Sequence, residues 1–300
     1  CDPRCMAEDV PCAAPAGRLV AVTGGARGLG VGICRQVLRQ DPSCEVVVLA
    51  RDLAPAEALA QELGPRARAL RCDVGSEASC HEAARSVAAL RAGRALSLVN
   101  NAGTAYDLPW FPTPWPAEAA RLTLDVNLMG AWRLTTALLP ELLDDKNPGR
   151  AIFVSSGAGP NNMKRMSEAR RERLLADSLA WEEIERLAEE FASEYEAAAA
   201  AQGSGGADLP FLSTSGLWLQ SYGFSKACLN AYCRVLARQQ PALLSVACSP
   251  GFVQTDMVRT YTGDSRLRSL DEGGDVPAWL AVGDGAETGC FYGSDRARSD

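Results

Sequence analysis

Histidine and lysine are scarce in this 300-residue chain, which has one histidine, His81, and only three lysines, Lys146, Lys164 and Lys226. Because His81 stands alone inside an apparent helix, the sequence argues against a Ser-His-Asp triad and a histidine-based metal site, and we expect no metal. Long apolar runs are also missing, since no stretch approaches the ~18 residues that a membrane-spanning helix requires. We therefore expect no membrane partner.

Paired cysteine motifs are absent as well. The eleven cysteines include no C-x-x-C pair, and no apolar secretory segment precedes them, so we expect reduced thiols in a reducing compartment. The expected location is cytoplasmic, with an organelle as the alternative. The net charge of −7 argues against a nucleic-acid partner.

What the sequence does contain is a regular alternation of short apolar runs and helical patterns. Residues 1–17 show no periodicity and are expected to form a disordered lead-in. From Arg18 onwards, strands that are apolar on both faces and separated by helices are typical of a parallel sheet buried on both sides. We predict an α/β fold, a Rossmann-type doubly wound sheet of about seven strands, in a single domain over residues 18–300. The predicted strands are 19–23, 45–50, 67–72, 97–100, 151–155, 243–249 and 290–292, and the predicted helices are 30–39, 54–63, 76–92, 117–145 and 221–239.

A glycine-rich turn links the first predicted strand to the first helix, with the sequence T-G-G-A-R-G-L-G from Thr23 to Gly30. Glycines allow the backbone to turn tightly and to approach a pyrophosphate, which exposed N–H groups and the helix dipole attract. The spacing is G-x-x-x-G-x-G, not the commoner G-x-G-x-x-G. We predict that a nucleotide is bound here by Gly24, Arg27, Gly28, Leu29 and Gly30.

The ends of the second and third strands bear on which nucleotide is bound. An acidic residue at the tip of the second strand binds the ribose hydroxyl of NAD, whereas an arginine accommodates the 2′-phosphate of NADP. Arg51 follows that strand and Arg27 lies in the glycine-rich turn, which favours NADPH, although Asp52 keeps NADH as an alternative. Asp73 and Val74 follow the third strand, where a carboxylate could hold an adenine amino group.

Polar residues also follow the fourth and fifth strands. The sequence N-N-A-G at 100–103 offers amides that can satisfy neighbouring strand ends and a glycine that leaves room for a cofactor. Asn127 lies within the next predicted helix, where asparagine has a poor intrinsic preference, so we expect it to have a buried partner or a water. Ser155 and Ser156 close the fifth strand.

The stretch S-Y-G-F-S-K at 221–226 places Tyr222 and Lys226 four positions apart, on one face of a helix. An unperturbed phenol has a pKa near ~10, and a nearby ammonium stabilises the phenolate and lowers that pKa towards neutral pH. The pair therefore predicts a general acid or base. The alternative is an ordinary surface pair with no chemical role.

These motifs, in this order, resemble those of the short-chain dehydrogenase/reductase family over about residues 18–293. The resemblance rests on T-G-x-x-x-G-x-G, N-N-A-G, the helical asparagine, the serine pair, Tyr-x-x-x-Lys and Pro-Gly at 250–251. A narrower resemblance, to the monomeric NADPH-dependent carbonyl reductases, rests on L-A-R-D at 49–52, A-L-L-P at 137–140 and A-C-S-P-G-F-V-Q-T-D-M at 247–257. It also rests on a long helical insertion, residues 157–220, that precedes the tyrosine.

The resemblance implies NADPH-dependent reduction of ketones, aldehydes or quinones to alcohols by hydride transfer. It implies that Tyr222 donates the proton, that Lys226 holds the nicotinamide ribose, and that Ser156 polarises the carbonyl, with Ser155 as the rival. Asn127 is expected to hold a water that relays protons to Lys226. The further implied cofactor contacts are Asn101, Ala102, Gly103, Pro250, Gly251, Val253 and Thr255, and the further implied substrate contacts are Ser249, Phe252 and Met257.

The insertion itself contains an apolar stripe at helical spacing, followed by a flexible glycine-rich connection at 202–206. The stripe is formed by Trp181, Ile184, Leu187, Ala188, Phe191 and Tyr195. Such a helix covers a sheet edge, and the resemblance implies that it covers the surface through which other family members oligomerise, so we expect a monomer. Two other functions stay open, a dedicated biosynthetic alcohol dehydrogenase and a catalytically silent NADP-binding regulator.

Overall fold

The computed structural model describes residues 17–112, 115–201 and 220–299. The expected disordered lead-in, apart from Gly17, and the expected flexible connection at 202–206 lie outside these described residues.

One sheet crosses the described part of the chain, with the strand order β3-β2-β1-β4-β5-β6-β7-β8. All neighbouring strands are parallel except β7 and β8, which are antiparallel. The predicted doubly wound parallel sheet is therefore confirmed, and the extra strand is the short antiparallel edge strand β8. The strands are β1 (Leu19–Thr23), β2 (Glu45–Ala50), β3 (Ala67–Arg71), β4 (Leu96–Asn100), β5 (Arg150–Val154), β6 (Leu244–Cys248), β7 (Phe291–Tyr292) and β8 (Arg298–Ser299).

The central strands are apolar throughout because both of their faces are buried. Along β1, Val20 and Val22 face one hydrophobic cluster, whereas Leu19 and Ala21 face another on the opposite side of the sheet. All four side chains are fully buried. Side chains alternate between faces along a strand, so each strand supplies apolar groups to both cores.

Helices cover both faces of the sheet. The first face is covered by α1 (Leu29–Gln40), α2 (Leu53–Leu63) and α10 (Leu270–Val282). The second face is covered by α3 (Glu77–Arg91), α4 (Ala119–Leu124), α5 (Gly130–Leu142) and α9 (Gln220–Gln239). None of the helices in the described ranges has the length and apolar character that crossing a bilayer requires.

Helix α10 was not predicted, because it contains Gly273, Gly274 and Pro277, residues that usually interrupt helices. The structure gives a physical reason for one of these glycines. A Cβ atom on Gly274 would lie 2.4 Å from the carbonyl carbon of Gly32 in α1, and one on Gly32 would lie 2.0 Å from the carbonyl oxygen of Leu270. The two helices cross so closely that only glycine fits at the contact.

The predicted helix at 117–145 is interrupted by a π-helical turn, Asp125–Met129, between α4 and α5. The insertion contains α6 (Ala158–Met163), α7 (Glu168–Leu175) and α8 (Trp181–Ala201). All six residues of the predicted apolar stripe are buried, and they pack into the same core as the second face of the sheet. The division of the chain into one domain at 18–300 remains a prediction.

Candidate active site

Tyr222 and Lys226 lie one turn apart near the start of α9 and share one site. The Nζ atom of Lys226 lies 5.5 Å from the centroid of the Tyr222 ring. It donates a hydrogen bond of 2.8 Å to the carbonyl oxygen of Val154, the last residue of β5. The phenol and the ammonium therefore lie together at the carboxyl end of the parallel sheet, where doubly wound folds bind their ligands.

The pKa values of these two groups are governed by burial. Burial raises the pKa of Tyr222 to about 12, while a hydrogen bond with the Ser156 hydroxyl acts in the opposite direction. Burial lowers the pKa of Lys226 to about 8. This differs from the prediction that Lys226 lowers the pKa of Tyr222, because the loss of hydration on burial is the largest influence on the phenol. At neutral pH the phenol keeps its proton and is available as an acid.

The two serines after β5 face different neighbours. Ser156 interacts with the hydroxyl of Tyr222, and its Oγ also accepts a hydrogen bond of 3.1 Å from the backbone of Ala158. Ser155 is buried and donates to the carbonyl oxygen of Lys226 at 3.4 Å. Ser156 thus faces the phenol, whereas Ser155 supports the backbone of α9.

Asn127 lies in the π-helical turn and is buried. Its Nδ2 donates to the carbonyl oxygen of Thr104 at 2.9 Å and to the Oγ of Ser225 at 3.0 Å, and its Oδ1 accepts from the amide of Thr104 at 2.8 Å. A Cβ atom on Gly103 would lie 3.4 Å from Oδ1 of Asn127 and 3.7 Å from Nζ of Lys226. Asn127 therefore fastens the loop after β4 to α9, and its expected relay water stays a prediction.

The glycine-rich turn is held against the loop after β4. Oγ1 of Thr23 accepts hydrogen bonds of 2.9 Å from the amides of both Asn101 and Ala102, and Nδ2 of Asn101 donates to the carbonyl oxygen of Thr23 at 2.8 Å. Gly24 has a positive φ of 59°, and a Cβ atom on Gly30 would lie 2.2 Å from its carbonyl oxygen. A glycine-rich turn directly before a helix fits a pyrophosphate, because its backbone can approach the phosphates closely.

The residues expected around the adenosine lie at the tips of β1, β2 and β3. Arg27 and Arg51 are exposed, and within the described ranges neither guanidinium has a hydrogen-bond or ion-pair partner, which leaves both free for an anion. Oδ1 of Asp73 accepts from the amide of Gly75 at 3.0 Å. The side chain of Val74 is buried against Gly130, so only its backbone is left for a ligand. Leu29, the first residue of α1, packs partly buried against the first-face core.

The Pro-Gly loop after β6 lies beside the glycine-rich turn. A Cβ atom on Gly28 would contact the Cγ2 of Thr255 at 3.4 Å, so this loop adjoins the glycine-rich turn. Pro250 is buried, Gly251 has a φ of 82°, and Val253 pairs with Arg268 in an isolated parallel bridge.

Ser249 lies at the end of β6, beside the loop that carries Ser156. Its Oγ accepts hydrogen bonds from the amides of Gly157 at 3.2 Å and of Gly251 at 3.4 Å. Ser249 thereby ties the serine loop to the Pro-Gly loop. With this contact, the structure places the glycine-rich turn, the serine loop, the Pro-Gly loop and the start of α9 beside one another at the carboxyl end of the sheet.

An aromatic cluster borders the expected substrate side, and sequence reasoning found only part of it. Phe252 packs edge to face with Trp110 at 6.0 Å and with Tyr261 at 4.8 Å between ring centroids. Nε1 of Trp110 donates to the carbonyl oxygen of Met257 at 2.8 Å. Phe252 and Met257 were predicted, whereas Trp110 and Tyr261 were missed. The sequence feature that could have revealed them is a large aromatic residue within a polar loop that contains proline or glycine.

Asp107 was also missed. Its side chain is fully buried in the loop between β4 and α4, and its Oδ2 accepts from both the amide and the hydroxyl of Ser221, at 3.1 and 2.5 Å. Ser221 immediately precedes Tyr222 in the chain. Sequence alone carried no motif for it, because the contact joins residues 114 positions apart.

A protonated phenol, an ammonium and a hydroxyl beside a glycine-rich turn, at the carboxyl edge of a doubly wound sheet, define a Rossmann-fold oxidoreductase site for a nicotinamide cofactor. The family model described as short chain dehydrogenase matches residues 18–168. The chain belongs to the short-chain dehydrogenase/reductase family.

Individual relatives agree with this assignment. The chain is 31% identical to carbonyl reductase [NADPH] 3 of Rattus norvegicus over 88% of its own length and 91% of that protein. It is 30% identical to (+)-neomenthol dehydrogenase of Arabidopsis thaliana, over 96% of this chain and 97% of that one. The structure of salutaridine reductase from Papaver somniferum superposes with a TM-score of 0.76 at 26% identity, covering 92% of this chain and 99% of that one.

Proposed function

We propose that this protein reduces ketone, aldehyde or quinone carbonyls to alcohols with NADPH, in a reaction that is reversible in principle. The observation that carries the proposal is the Tyr222 hydroxyl, which keeps its proton at neutral pH and interacts with Ser156 beside the ammonium of Lys226. The similarity to proteins named carbonyl reductase supports the same conclusion.

Each polar side chain then has one task. NADPH, when bound, supplies the hydride. Ser156 donates a hydrogen bond to the carbonyl oxygen of the substrate and stabilises the negative charge that develops there. Tyr222 donates its proton to this oxygen, acting as the general acid. The ammonium of Lys226 stabilises the phenolate that remains, because a nearby positive charge favours the ionised form.

The choice of NADPH over NADH is supported by charge. Arg27 and Arg51 are exposed cations without partners in the described ranges, and a 2′-phosphate is the group that would distinguish NADPH. Asp52 is also exposed, at the start of α2, and is the residue that could instead bind a ribose hydroxyl.

On the substrate side, the aromatic cluster favours an apolar, ring-containing carbonyl compound. Trp110, Phe252 and Tyr261 pack edge to face with one another, and the indole of Trp110 donates to the carbonyl oxygen of Met257. A dedicated biosynthetic alcohol dehydrogenase is the second candidate. The similarity to a neomenthol dehydrogenase over 96% of the chain favours it.

We also propose that the protein acts as a monomer. Helix α8 packs its apolar stripe against α4 and α9, so that surface is already covered within the chain. Sedimentation of the purified protein over a range of concentrations tests this directly, and a stable dimer would contradict it.

The function is tested by Tyr222→Phe, which removes the proton donor and keeps the ring. We expect turnover to fall by about 10²–10⁴-fold while NADPH binding is retained. Oxidation of NADPH, followed by absorbance against quinones, aromatic aldehydes and cyclic terpenoid or steroid ketones, measures the parent and the variant.

Tyr232→Phe is the matched control, because Tyr232 lies on the same helix but is buried in the core. It should keep the parent turnover. A parent protein that oxidises NADPH with none of these substrates would contradict the proposed function, and a Tyr222→Phe variant with parent turnover would contradict the role of the phenol.

A further inference from the structure

The buried carboxylate of Asp107 is an unusual feature outside the group of residues assigned above. It lies in the loop between β4 and α4 and has no solvent-exposed surface. Its Oδ2 accepts two hydrogen bonds from Ser221, 3.1 Å from the amide nitrogen and 2.5 Å from the hydroxyl oxygen. Ser221 is also fully buried.

Keeping this carboxylate inside the protein is costly. Burial raises the pKa of Asp107 to about 6, while hydrogen bonds from Ser221 and Tyr195 act against this shift. An ionised group buried away from water destabilises a fold unless its partners replace the lost hydration. A neutral asparagine of the same shape would avoid most of that cost, so the presence of an acid calls for another explanation.

The contact falls at the start of the helix that carries the proton donor. Helix α9 spans Gln220–Gln239, and the amide of Ser221, near its amino end, donates to Asp107. Backbone N–H groups in the first turn of a helix have no partner within the helix. Asp107 satisfies one of these groups from a distant loop, and its charge also complements the positive end of the helix dipole. The next residue along the helix is Tyr222.

A third element meets at the same carboxylate. The hydroxyl of Tyr195, from α8, forms a hydrogen bond with Asp107, and burial together with this charge raises the pKa of Tyr195 above its usual range. Tyr195 is the titratable group that acts on Asp107 within the described ranges, and it stays neutral across the acid range where Asp107 titrates. The carboxylate thus joins the loop after β4, the insertion helix and the first turn of α9.

We infer that Asp107 is a positioning residue for Tyr222, whose ionised side chain fixes the first turn of α9 and so directs the Tyr222 hydroxyl towards Ser156 and the substrate oxygen. This inference rests on the proposed function. A positioning role differs from a merely structural one. A structural role would require only that Asp107 keep the helix folded, whereas a positioning role requires that Asp107 also fix the place of the Tyr222 hydroxyl.

The main test is Asp107→Asn, which keeps the shape of the side chain and removes the charge. We expect kcat to fall by about 10–100-fold, the effect of losing a hydrogen bond to a charged group, with an unchanged KM for NADPH. Because the variant no longer buries a charge, its thermal midpoint at pH 7 should equal or exceed that of the parent. Glu118→Gln, an exposed acid in the same loop, is the matched control and should behave as the parent.

The pH profile gives a readout that a structural role would not change. The kcat of the parent should decrease as the pH is lowered below 6, because the Asp107 carboxylate gains a proton. The kcat of Asp107→Asn should not show this decrease. Hydrogen exchange of the protein without cofactor supplies a second readout. The amides at the start of α9 should exchange faster in Asp107→Asn than in Glu118→Gln.

Ser221→Ala tests the same contact from the other side and keeps the inference testable should Asp107→Asn not fold. It should lower kcat by a smaller factor, and the double variant should lose less than the product of the two single effects, since both remove one contact. Parent values of kcat and the same pH profile in Asp107→Asn would overturn the inference. A parent protein with no reductase activity would instead overturn the proposed function, while the exchange measurement would still report on the Asp107 contact.

Discussion

At the scale of single residues, burial has a larger effect on the chemistry of this site than the spacing of charges. The Nζ atom of Lys226 lies 5.5 Å from the centroid of the Tyr222 ring, yet burial raises the pKa of the phenol and lowers that of the ammonium. Both shifts favour the uncharged forms, because each charged form would lose its hydration. The site therefore starts with a protonated acid, and Lys226 acts after the proton has moved.

Arg51 provides the residue-scale prediction on the cofactor. Arg51→Asp replaces an exposed cation by an anion that repels a 2′-phosphate and can accept from a ribose hydroxyl. We expect the ratio of kcat/KM for NADPH to kcat/KM for NADH to fall by about 10–100-fold. Steady-state kinetics with both cofactors measures this ratio.

Arg85→Asp makes the same charge change on the exposed side of α3 and serves as the control. Its ratio should match that of the parent. An equal effect of both variants would mean that net charge, and not a contact of Arg51, sets the preference.

The sequence predicted the site residues that belong to short motifs and missed those that depend on folding. Tyr222, Lys226 and Ser156 could be found because each lies at a fixed place after a strand or within a helix. Asp107 and Tyr261 reach the site through irregular loops, whose paths no periodicity encodes. The direction of the Tyr222 pKa shift was missed for a related reason, since spacing reveals a neighbouring charge but not the loss of water.

At the scale of elements, the insertion is part of the core and not an appendage. The ring of Phe191 in α8 stacks on that of Phe224 in α9, with ring centroids 4.1 Å apart and planes inclined by 11°. Trp181, at the start of α8, stacks on Trp132 of α5 at 4.8 Å. Helix α8 therefore supports the helix that carries Tyr222 and Lys226.

Phe191→Ala tests this support. Removing a buried phenylalanine should lower the free energy of unfolding by about 3–5 kcal/mol, because apolar burial is lost and a cavity remains. Urea unfolding followed by circular dichroism measures the change. Leu175→Ala is the control in the same insertion, since Leu175 is 48% exposed, and it should alter stability by less than about 0.5 kcal/mol. Equal losses in the two variants would show that α8 is not integral to the core.

Which elements could be predicted depended on local regularity. Strands β1 to β7 were predicted to within one residue at each end, because their apolar runs are continuous and most of them are buried on both faces. Helix α10 was hidden by glycines that its crossing with α1 requires, as at Gly274. The π-helical turn at Asp125–Met129 was hidden for the opposite reason, since its sequence is compatible with an ordinary helix. What distinguishes it is the backbone bond from the N–H of Gly130 to the carbonyl oxygen of Asp125, five residues earlier.

At the scale of the whole molecule, the core contains many thiols. The eight cysteines in the described ranges form no disulfides, and seven of them are buried. Burial raises the pKa of the Cys34, Cys44 and Cys233 thiols to about 12 and that of Cys228 and Cys248 further still. The folded state thus holds protons that the unfolded chain releases at lower pH.

This arrangement predicts a loss of stability in alkali. An unfolded thiol ionises near pH ~8.5, so above that pH the unfolded state binds fewer protons and the free energy of unfolding falls as pH rises. Each buried thiol contributes up to about 1.4 kcal/mol per pH unit to this fall. Lys226 acts oppositely, because its lowered pKa of about 8 adds stability as pH rises from there towards its unfolded value, but five thiols outweigh one lysine.

Urea unfolding between pH 8.5 and 10.5, in the presence of a thiol reductant, measures the slope. Cys34→Ala should make the slope shallower by the contribution of one proton, about 1.4 kcal/mol per pH unit. Val37→Ala, in the same helix and equally buried, should lower stability at every pH and leave the slope unchanged. Of the two variants, only Cys34→Ala removes a group that keeps its proton in the folded state and loses it in the unfolded state. If the free energy of unfolding changes with pH equally in the parent and in both variants, the buried thiols do not cause the loss of stability in alkali.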